Sequence, residues 1–257
     1  MIDSHVHLDD PRFDADRDAV INRARQAGIT GFVVPGTTAE GWQKLAGLAD
    51  RYADLYPAYG LHPWFMEAHR SDHVAALDRW LDTHPAVAVG ECGLDFYAAD
   101  ADREAQIGLF REQIRVAANH RLPLIVHARK SLDRVLAELR RHPGVEGVLH
   151  SFSGSLQQAN QAVDLGFRLG IAATVAHDRA RRLRTVVAEI DGQALLIETD
   201  APDQPGPAHL GQRNEPAFLP EHLRVMAELR DEPVEALARR LDDNCRTVFR
   251  LKKNDDD

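Results

Sequence analysis

Two histidines stand two residues apart at the start of the chain, and together they could hold a metal ion. If residues 2–6 form a β-strand that continues through the pair, His5 and His7 point to the same side, because side chains two apart share one face of a strand. A surface pair of histidines would have the same spacing. A metal site therefore requires further ligands from elsewhere in the chain.

Four further residues of metal-binding type follow short apolar runs. Glu91 comes directly after residues 86–90, His127 after 122–126 and His150 after 145–149. Asp200 comes just after the run at 194–197. Imidazole nitrogens and carboxylate oxygens together suit zinc, manganese, iron or magnesium. Each residue alone also has an ordinary interpretation, such as a core histidine, a salt-bridge partner or a turn aspartate.

The elements that must position these residues are short strands alternating with helices. Eight strand-like runs are predicted at residues 2–6, 29–34, 55–60, 86–90, 122–126, 145–149, 167–171 and 194–197. Helical patterns separate them at 17–26, 39–52, 72–83, 102–120, 132–141, 156–165 and 179–190, and two more follow at 221–230 and 233–249. This order predicts an α/β fold, a (β/α)8 TIM barrel. A doubly wound open sheet is the alternative, but no glycine-rich turn follows the first strand.

The predicted strands place all six ligand-type residues at one end of the barrel. In a barrel of parallel strands, the carboxyl ends of the strands form a single rim, where catalytic residues lie. We therefore predict one metal site at the C-terminal rim. Its predicted ligands are His5, His7, Glu91, His127, His150 and Asp200.

Six protein ligands are too many for one catalytic ion, which must keep a position open. They suit two divalent ions, magnesium, manganese or zinc, bridged by one carboxylate. Glu91 is the natural bridge, because the fourth strand lies between the two groups of ligands. The predicted nucleophile is metal-bound water, with Glu91 and Asp200 as catalytic carboxylates and Asp200 also accepting a proton from the water.

The composition restricts the class of protein. A net charge of -9 counts against a broad basic groove for nucleic acid. The two cysteines are far apart in sequence and no signal peptide is evident, so we expect a reduced, cytoplasmic protein. No apolar run approaches the ~20 residues of a membrane span. We expect a single domain over residues 1–251, a disordered charged tail at 252–257, and a monomer.

An ordered series of motifs covers nearly the whole chain. They are Asp-Ser-His-Val-His at 3–7, Gly-Leu-His-Pro at 60–63, Gly-Glu-Cys-Gly-Leu-Asp-Phe at 90–96, Val-His-Ala-Arg at 126–129, His-Ser-Phe-Ser-Gly at 150–154, Glu-Thr-Asp-Ala-Pro at 198–202 and Arg-Asn-Glu-Pro at 213–216. In this series the chain resembles the TatD family of metal-dependent hydrolases. The resemblance implies a TIM barrel of the amidohydrolase type and a deoxyribonuclease, often acting 3′ to 5′ on single-stranded DNA ends.

The resemblance also implies how the ligands are divided between the metals. His5, His7, Glu91 and Asp200 would hold one ion, and Glu91, His127 and His150 the other. Two residues outside this set, His62 and Arg129, are candidates for binding a substrate phosphate. His62 is equally compatible with a turn histidine before a proline, and Arg129 with an ion pair to Glu198 or Asp95. Trp64 and Phe152 are aromatic residues near the predicted rim that would either stack on bases or pack internally.

Two other functions remain compatible with the same residues. Metal-activated water attacks esters, amides, lactones or aminoacyl-tRNA linkages as readily as phosphodiesters, and the acidic net charge does not indicate a nucleic-acid surface. A metal-holding scaffold without catalysis is the second alternative. A carboxylate positioned as a base argues against the scaffold.

Overall fold

The computed structural model describes residues 1–252 and contains an eight-stranded parallel sheet in the order β1 to β8. The strands are β1 (Ile2–Asp3), β2 (Gly31–Pro35), β3 (Leu55–Tyr59), β4 (Ala88–Asp95), β5 (Leu124–Arg129), β6 (Gly147–Leu149), β7 (Phe167–Ile171) and β8 (Leu195–Ile197). Every neighbouring pair is parallel. The predicted (β/α)8 barrel is thus confirmed, and the open doubly wound sheet is wrong.

Helices connect the strands and cover the outside of the barrel. They are α1 (Arg17–Gln26), α2 (Trp42–Arg51), α3 (His73–Leu81), α4 (Arg103–His120), α5 (Leu132–Leu139), α6 (Leu156–Asp164), α7 (Arg181–Glu189), α8 (Leu219–Arg230) and α9 (Val234–Phe249). Within the described residues, none of these helices is both long enough and apolar enough to cross a membrane.

The barrel closes between its first and last strands through backbone hydrogen bonds. Ser4 N donates to Ile197 O at 3.1 Å, and beyond the strands His7 N donates to Ala201 O at 2.8 Å. The buried Asp3 carboxylate reinforces the seam, accepting from Thr199 N at 3.0 Å and from the Thr199 hydroxyl at 2.6 Å. The loops that follow β1 and β8 are therefore held side by side.

Two apolar clusters fill the molecule. The larger lies between the sheet and the surrounding helices. The smaller contains one side chain from each of seven strands together with Cys245, Val248 and Phe249 of α9. Helix α9 covers the N-terminal end of the barrel, because the Asn244 amide donates to Gly192 O and Leu195 O at the start of β8. The C-terminal end is left for the site.

The predicted tail begins within the described residues. The carbonyl oxygen of Lys252 accepts a hydrogen bond from the Arg246 guanidinium at 2.8 Å, so the chain is still packed there. Residues 253–257 of the predicted tail lie outside the described residues.

Candidate metal centre

The two N-terminal histidines lie just beyond β1. The prediction of a strand over residues 2–6 was too long, because β1 ends at Asp3. Backbone hydrogen bonds from Val6 N to Val33 O and from His7 N to Ala201 O nevertheless keep this segment against its neighbours. The Nε2 atoms of His5 and His7 come within 3.3 Å of each other. The expected convergence of the pair is therefore present.

Glu91 lies inside β4, so the prediction that it follows the strand was wrong. The pairing of β4 with β5 shifts register between Val89 and Cys92, which places Glu91 in an irregular segment of the strand. The strand continues to Asp95 because Gly93 allows the backbone of β5 to approach closely. The Glu91 side chain is buried and points into the barrel mouth.

The two carboxylate oxygens of Glu91 face two different pairs of imidazoles. Oε2 lies 3.2 Å from His5 Nε2 and 3.4 Å from His7 Nε2. Oε1 lies 2.8 Å from His150 Nε2 and 3.0 Å from His127 Nδ1. Burial alone would raise the pKa of Glu91, but the surrounding imidazoles hold that pKa well below its ordinary value. The carboxylate is therefore ionised at neutral pH.

The second pair of imidazoles comes from β5 and from the end of β6. His127 belongs to β5, which runs to Arg129, so the prediction that His127 follows its strand was also wrong. His150 follows β6 directly, as predicted. His127 Nδ1 and His150 Nε2 are 3.1 Å apart. The His150 ring also stacks on His5 at a centroid distance of 3.9 Å, which joins the two pairs.

Asp200 completes the group from the loop after β8. Its backbone has a positive φ of 56°, and its N–H donates to His5 O at 2.9 Å. Oδ1 lies 3.6 Å from the Nε2 atoms of both His5 and His7. Oδ2 accepts a hydrogen bond from the Gln204 amide. One carboxylate oxygen is thus fixed, and the other faces the histidine pair.

The donor atoms are spaced as ligands of divalent cations would be. Ligand atoms about 2.1 Å from one ion are separated by about 3.0–3.5 Å in tetrahedral or octahedral geometry. Imidazole nitrogens facing each other at 3.1–3.3 Å bring lone pairs together unless a proton or a cation lies between them. Three groups of at least three potential donor atoms converge here, so the residues fit a metal.

His62 also contacts Glu91, but its ring is oriented as a hydrogen-bond donor. His62 Nδ1 accepts from the Trp64 backbone N–H at 3.0 Å, where it caps the turn that begins at Pro63. Burial lowers the pKa of His62 to about 4, so the ring is neutral. A neutral imidazole carries one N–H. That proton must therefore be on Nε2, which donates to Glu91 Oε1 at 2.9 Å. His62 thus caps the turn that begins at Pro63 and also contacts Glu91 in the site, so the two predicted roles are compatible.

Two carboxylates behind the histidines were missed as site residues by sequence reasoning. Asp95 Oδ2 accepts from His127 Nε2 at 3.0 Å, on the side of the ring away from Glu91. Glu198 Oε1 lies 3.6 Å from His150 Nδ1 and is fully buried. The signal was available for Asp95, because residues 91, 93 and 95 share one face of β4. Carboxylates in such positions fix the tautomer of a ligating histidine.

Arg129 forms no ion pair with Glu198 or Asp95 within 4.0 Å. Its guanidinium instead lies over the rings of Tyr97, at 3.7 Å, and Trp64, at 5.7 Å. Trp64 is 53% exposed, whereas Phe152 is 3% exposed and packs internally. Of the two aromatic residues considered for base stacking, only Trp64 is accessible.

The centre lies at the base of a cavity of about 1080 Å³ at the C-terminal end of the barrel. Its walls include His7, His62, Glu91, Arg129 and Asp200. All eight predicted site residues therefore meet in or beneath one cavity. The arrangement can bind cations at its base and admit an anionic substrate from solvent.

Comparisons with known proteins agree with this architecture. The sequence model of a family described as "TatD related DNase" matches residues 2–250. An "Uncharacterized metal-dependent hydrolase YjjV" of Escherichia coli K12 is 41% identical over 254 residues, 98% of each chain. A "3'-5' ssDNA/RNA exonuclease TatD" of Erwinia billingiae is 37% identical over 259 residues, 98% of this chain and 99% of that protein.

Solved structures lead to the same family. The crystal structure of YjjV from Escherichia coli K12, described as a TatD homologue, superposes with a TM-score of 0.95 over 98% of each chain, at 41% identity. A TatD family hydrolase of Entamoeba histolytica shares the fold with a TM-score of 0.85 at 20% identity, covering 96% of this chain and 97% of that one. The chain is a member of the TatD family of metal-dependent hydrolases.

Proposed function

We propose that this hydrolase cleaves phosphodiester bonds at the ends of single-stranded nucleic acid, from 3′ to 5′, with two divalent cations. The observation that carries the proposal is the orientation of Glu91, whose two oxygens face two separate imidazole pairs. Support for the substrate comes from relatives named 3'-5' ssDNA/RNA exonucleases at 34–38% identity. Magnesium, manganese and zinc all suit this mixed set of nitrogen and oxygen donors.

In this proposal the residues divide into two groups around Glu91. The first cation would be held by His5, His7, Asp200 and Glu91 Oε2. The second would be held by His127, His150 and Glu91 Oε1. Divalent cations in such a centre lower the pKa of bound water and offset the charge of a phosphodiester.

The chain's own groups supply the remaining chemistry. Asp200 Oδ1 would accept a proton from the attacking water, while Gln204 holds the other Asp200 oxygen in place. The Nε2–H of His62 would donate to Glu91 or to a phosphate oxygen beside it. Arg129, exposed at the cavity wall, would bind a substrate phosphate.

We infer that residues 1–251 act as one hydrolase domain in a single copy. Every strand belongs to one sheet, and all six proposed ligands come from one chain. The proposed centre therefore needs no residue from a second copy.

The test measures metal content and cleavage together. The protein reconstituted with manganese should bind two ions per chain. With magnesium or manganese it should shorten a 5′-labelled single-stranded DNA from its 3′ end, and chelator should stop the reaction. Asp200→Asn should lower the rate by about 10²–10⁴-fold, because the proton acceptor is lost. Asp164→Asn, on the exposed side of α6, is the matched control and should leave the rate unchanged.

Three outcomes would contradict the proposal. Fewer than two ions bound after reconstitution would exclude the bridge at Glu91. Turnover of esters or aminoacyl-tRNA without cleavage of any phosphodiester would favour the alternative hydrolases. Tight metal binding without turnover of any of these compounds would favour the scaffold.

A further inference from the structure

Exposed aromatic rings are concentrated at one side of the cavity. Four large hydrophobic side chains are exposed in the part of the chain that the structure describes. Two of them, Trp64 and Tyr97, lie beneath the Arg129 guanidinium, and Trp64 and a third, Phe65, line the cavity itself. The Phe65 ring is 5.8 Å from the His62 ring, which contacts Glu91. The exposed rings therefore begin next to the proposed metal centre.

The positive charges that remain available to a ligand lie on the same side. Arg12 and Lys44 also line the cavity, but Arg12 binds Asp10 and Asp203, and Lys44 binds Asp14. By contrast, Arg129 and Lys130 have no carboxylate within 4.0 Å among the described residues, and both are exposed. Lys130 Nζ lies 4.5 Å from the Tyr97 ring. We call Trp64, Phe65, Tyr97, Arg129 and Lys130 the aromatic ridge.

A second cavity continues from the aromatic ridge. This side cavity has a volume of about 470 Å³ and shares Ala128, Lys130 and Ser153 with the main cavity. The exposed Arg182 lines it and has no ion pair within residues 1–252. Its acidic group, Asp133, already accepts a hydrogen bond from Gln158 at 2.6 Å. The side cavity is therefore a cationic pocket beside the ridge.

Its other arginine is committed to a structural contact. Arg134 lies 2.9 Å from the buried carboxylate of Glu138. Lys130 and Arg182 are therefore the cations of the side cavity that a ligand would meet.

We propose that the aromatic ridge and the side cavity form a binding track for the single strand beyond the bond that is cleaved. Bases stack on Trp64 and Phe65, phosphates pair with Arg129 and Lys130, and the next phosphate enters the side cavity beside Arg182. This inference rests on the proposed phosphodiester hydrolysis and adds the path of the strand.

The chemistry of the ridge selects a single-stranded nucleic acid. Stacking on an aromatic ring requires an exposed base face, which a duplex hides between neighbouring base pairs. Guanidinium and ammonium groups between the rings match the alternation of bases and phosphates along a strand. Because the rest of the lining cations are neutralised, an unpaired strand gains charge complementarity only along this side.

The experiment first measures binding in the presence of chelator, where no cleavage occurs. The probe is a fluorescein-labelled twelve-residue oligothymidylate, followed by anisotropy with the full chain. Trp64→Ala should weaken binding by about five-fold to a hundred-fold, since stacking on one ring contributes that much. Arg182→Ala should also weaken binding. Leu210→Ala and Arg224→Ala remove an exposed apolar group and an exposed cation that line neither cavity, so they should not.

A second measurement separates the track from the proposed reaction. With manganese, each protein is assayed on the oligonucleotide and on bis(p-nitrophenyl) phosphate, a diester too small to reach the side cavity. In Arg182→Ala, the ratio of kcat/KM for oligonucleotide over small diester should fall at least ten-fold through KM. An unchanged ratio together with unchanged binding would overturn the track. Weakened binding in Arg224→Ala to the same degree would also overturn it. A wild-type protein that cleaves neither compound would overturn the proposed function, while the binding data would still decide the track.

Discussion

Each imidazole in the centre has two nitrogens, and the partner of the outer nitrogen decides what the inner one can do. His127 Nε2 faces Asp95, so its proton belongs there and Nδ1 is free to bind a cation. His62 has the opposite arrangement, because Trp64 N–H occupies Nδ1 and forces the proton onto Nε2. The nitrogen that faces Glu91 can thus bind a cation in His127, whereas in His62 it can only donate a hydrogen bond.

The role of Asp95 can be tested through metal affinity. Its two oxygens accept from different donors, Tyr97 N at 2.9 Å and His127 Nε2 at 3.0 Å. Asp95→Asn would turn an N–H group toward one of these donors, so we expect metal affinity to fall about 10–100-fold. Competition with a chelating dye measures this directly. Asp82→Asn, on the surface after α3, is the control, and equal affinities in the two variants would contradict the role.

His222 provides a prediction about pH and stability. It is buried in α8, and burial lowers its pKa to about 4 from an ordinary value of 6.5. Between these pH values the unfolded chain binds a proton at His222 that the folded chain does not, so stability falls as pH falls. From pH 6.5 to 4.5, His222→Leu should lose about 2 kcal/mol less unfolding free energy than the wild type. Urea unfolding at both pH values measures the difference, and parallel losses would contradict it.

At the scale of elements, the strands approach the centre closely where they carry glycine. A side chain at Gly93 would collide with the backbone of His127, and one at Gly170 of β7 would collide with Glu198 Oε2. Helix α4 supports the same region from outside. The buried side chain of Gln106 pairs with both backbone groups of Asp95, at 2.8 and 2.9 Å. The close packing of the backbone at Gly93, Gly170 and Asp95 therefore helps to fix where the side chains lie at the rim.

Two glycine-to-alanine substitutions should have opposite effects. Gly170→Ala forces the fully buried Glu198 to move, so we expect a loss of about 1–3 kcal/mol in unfolding free energy and weaker metal binding. Gly108→Ala lies on the exposed face of α4 with nothing within 4 Å of the added methyl group. It should stabilise the protein by up to about 1 kcal/mol. Urea unfolding of both variants checks the signs, and a shared sign would refute the explanation.

The hydrophobic periodicity of the sequence predicted which helices and strands are present more accurately than it predicted where they begin and end. The predicted bounds of β7 and α1 agree with the structure, where Gly166 marks the start of β7, and Asp16 and Gly28 flank α1. The ends of β4 and β5 were misplaced, since polar residues such as Glu91 and His127 look like strand terminators although a barrel mouth lets strands continue through them. Asp95 was missed as a site residue because the predicted strand ended at residue 90, before the face that it shares with Glu91. Glu198 was missed because its contact with His150 depends on side-chain directions between strands, which spacing along one strand does not specify.

At the scale of the whole molecule, the available positive charge of the main cavity lies beside the aromatic ridge, because Arg12 and Lys44 of the cavity wall are paired with carboxylates. The net charge is -9, and most described arginines are paired with carboxylates, as in the contacts of Arg23 and Arg213 with Glu215. A strand would therefore meet few available cations. Association should depend on stacking more than on charge.

Because few cations are available, we predict that binding of a single strand depends only weakly on salt concentration. If Arg129, Lys130 and Arg182 contact phosphates, the logarithm of the binding constant should fall with the logarithm of salt concentration with a slope of about −2. Anisotropy titrations of the oligothymidylate from low to moderate salt, in chelator, measure the slope. A slope steeper than about −4 would require more phosphate contacts than the ridge and side cavity offer.

The closure of the barrel between its first and last strands determines when the metal centre can be completed during protein synthesis. His5 and His7 leave the ribosome well before Asp200 and before Ile197, whose carbonyl oxygen anchors Ser4. Throughout that interval the histidine pair lacks Asp200, one of its two carboxylate partners, and has no closed barrel around it. We therefore expect a nascent chain stopped before β8 to have the first proposed ligands of the centre without the wall that holds them together, and to bind metal only after β8 is made.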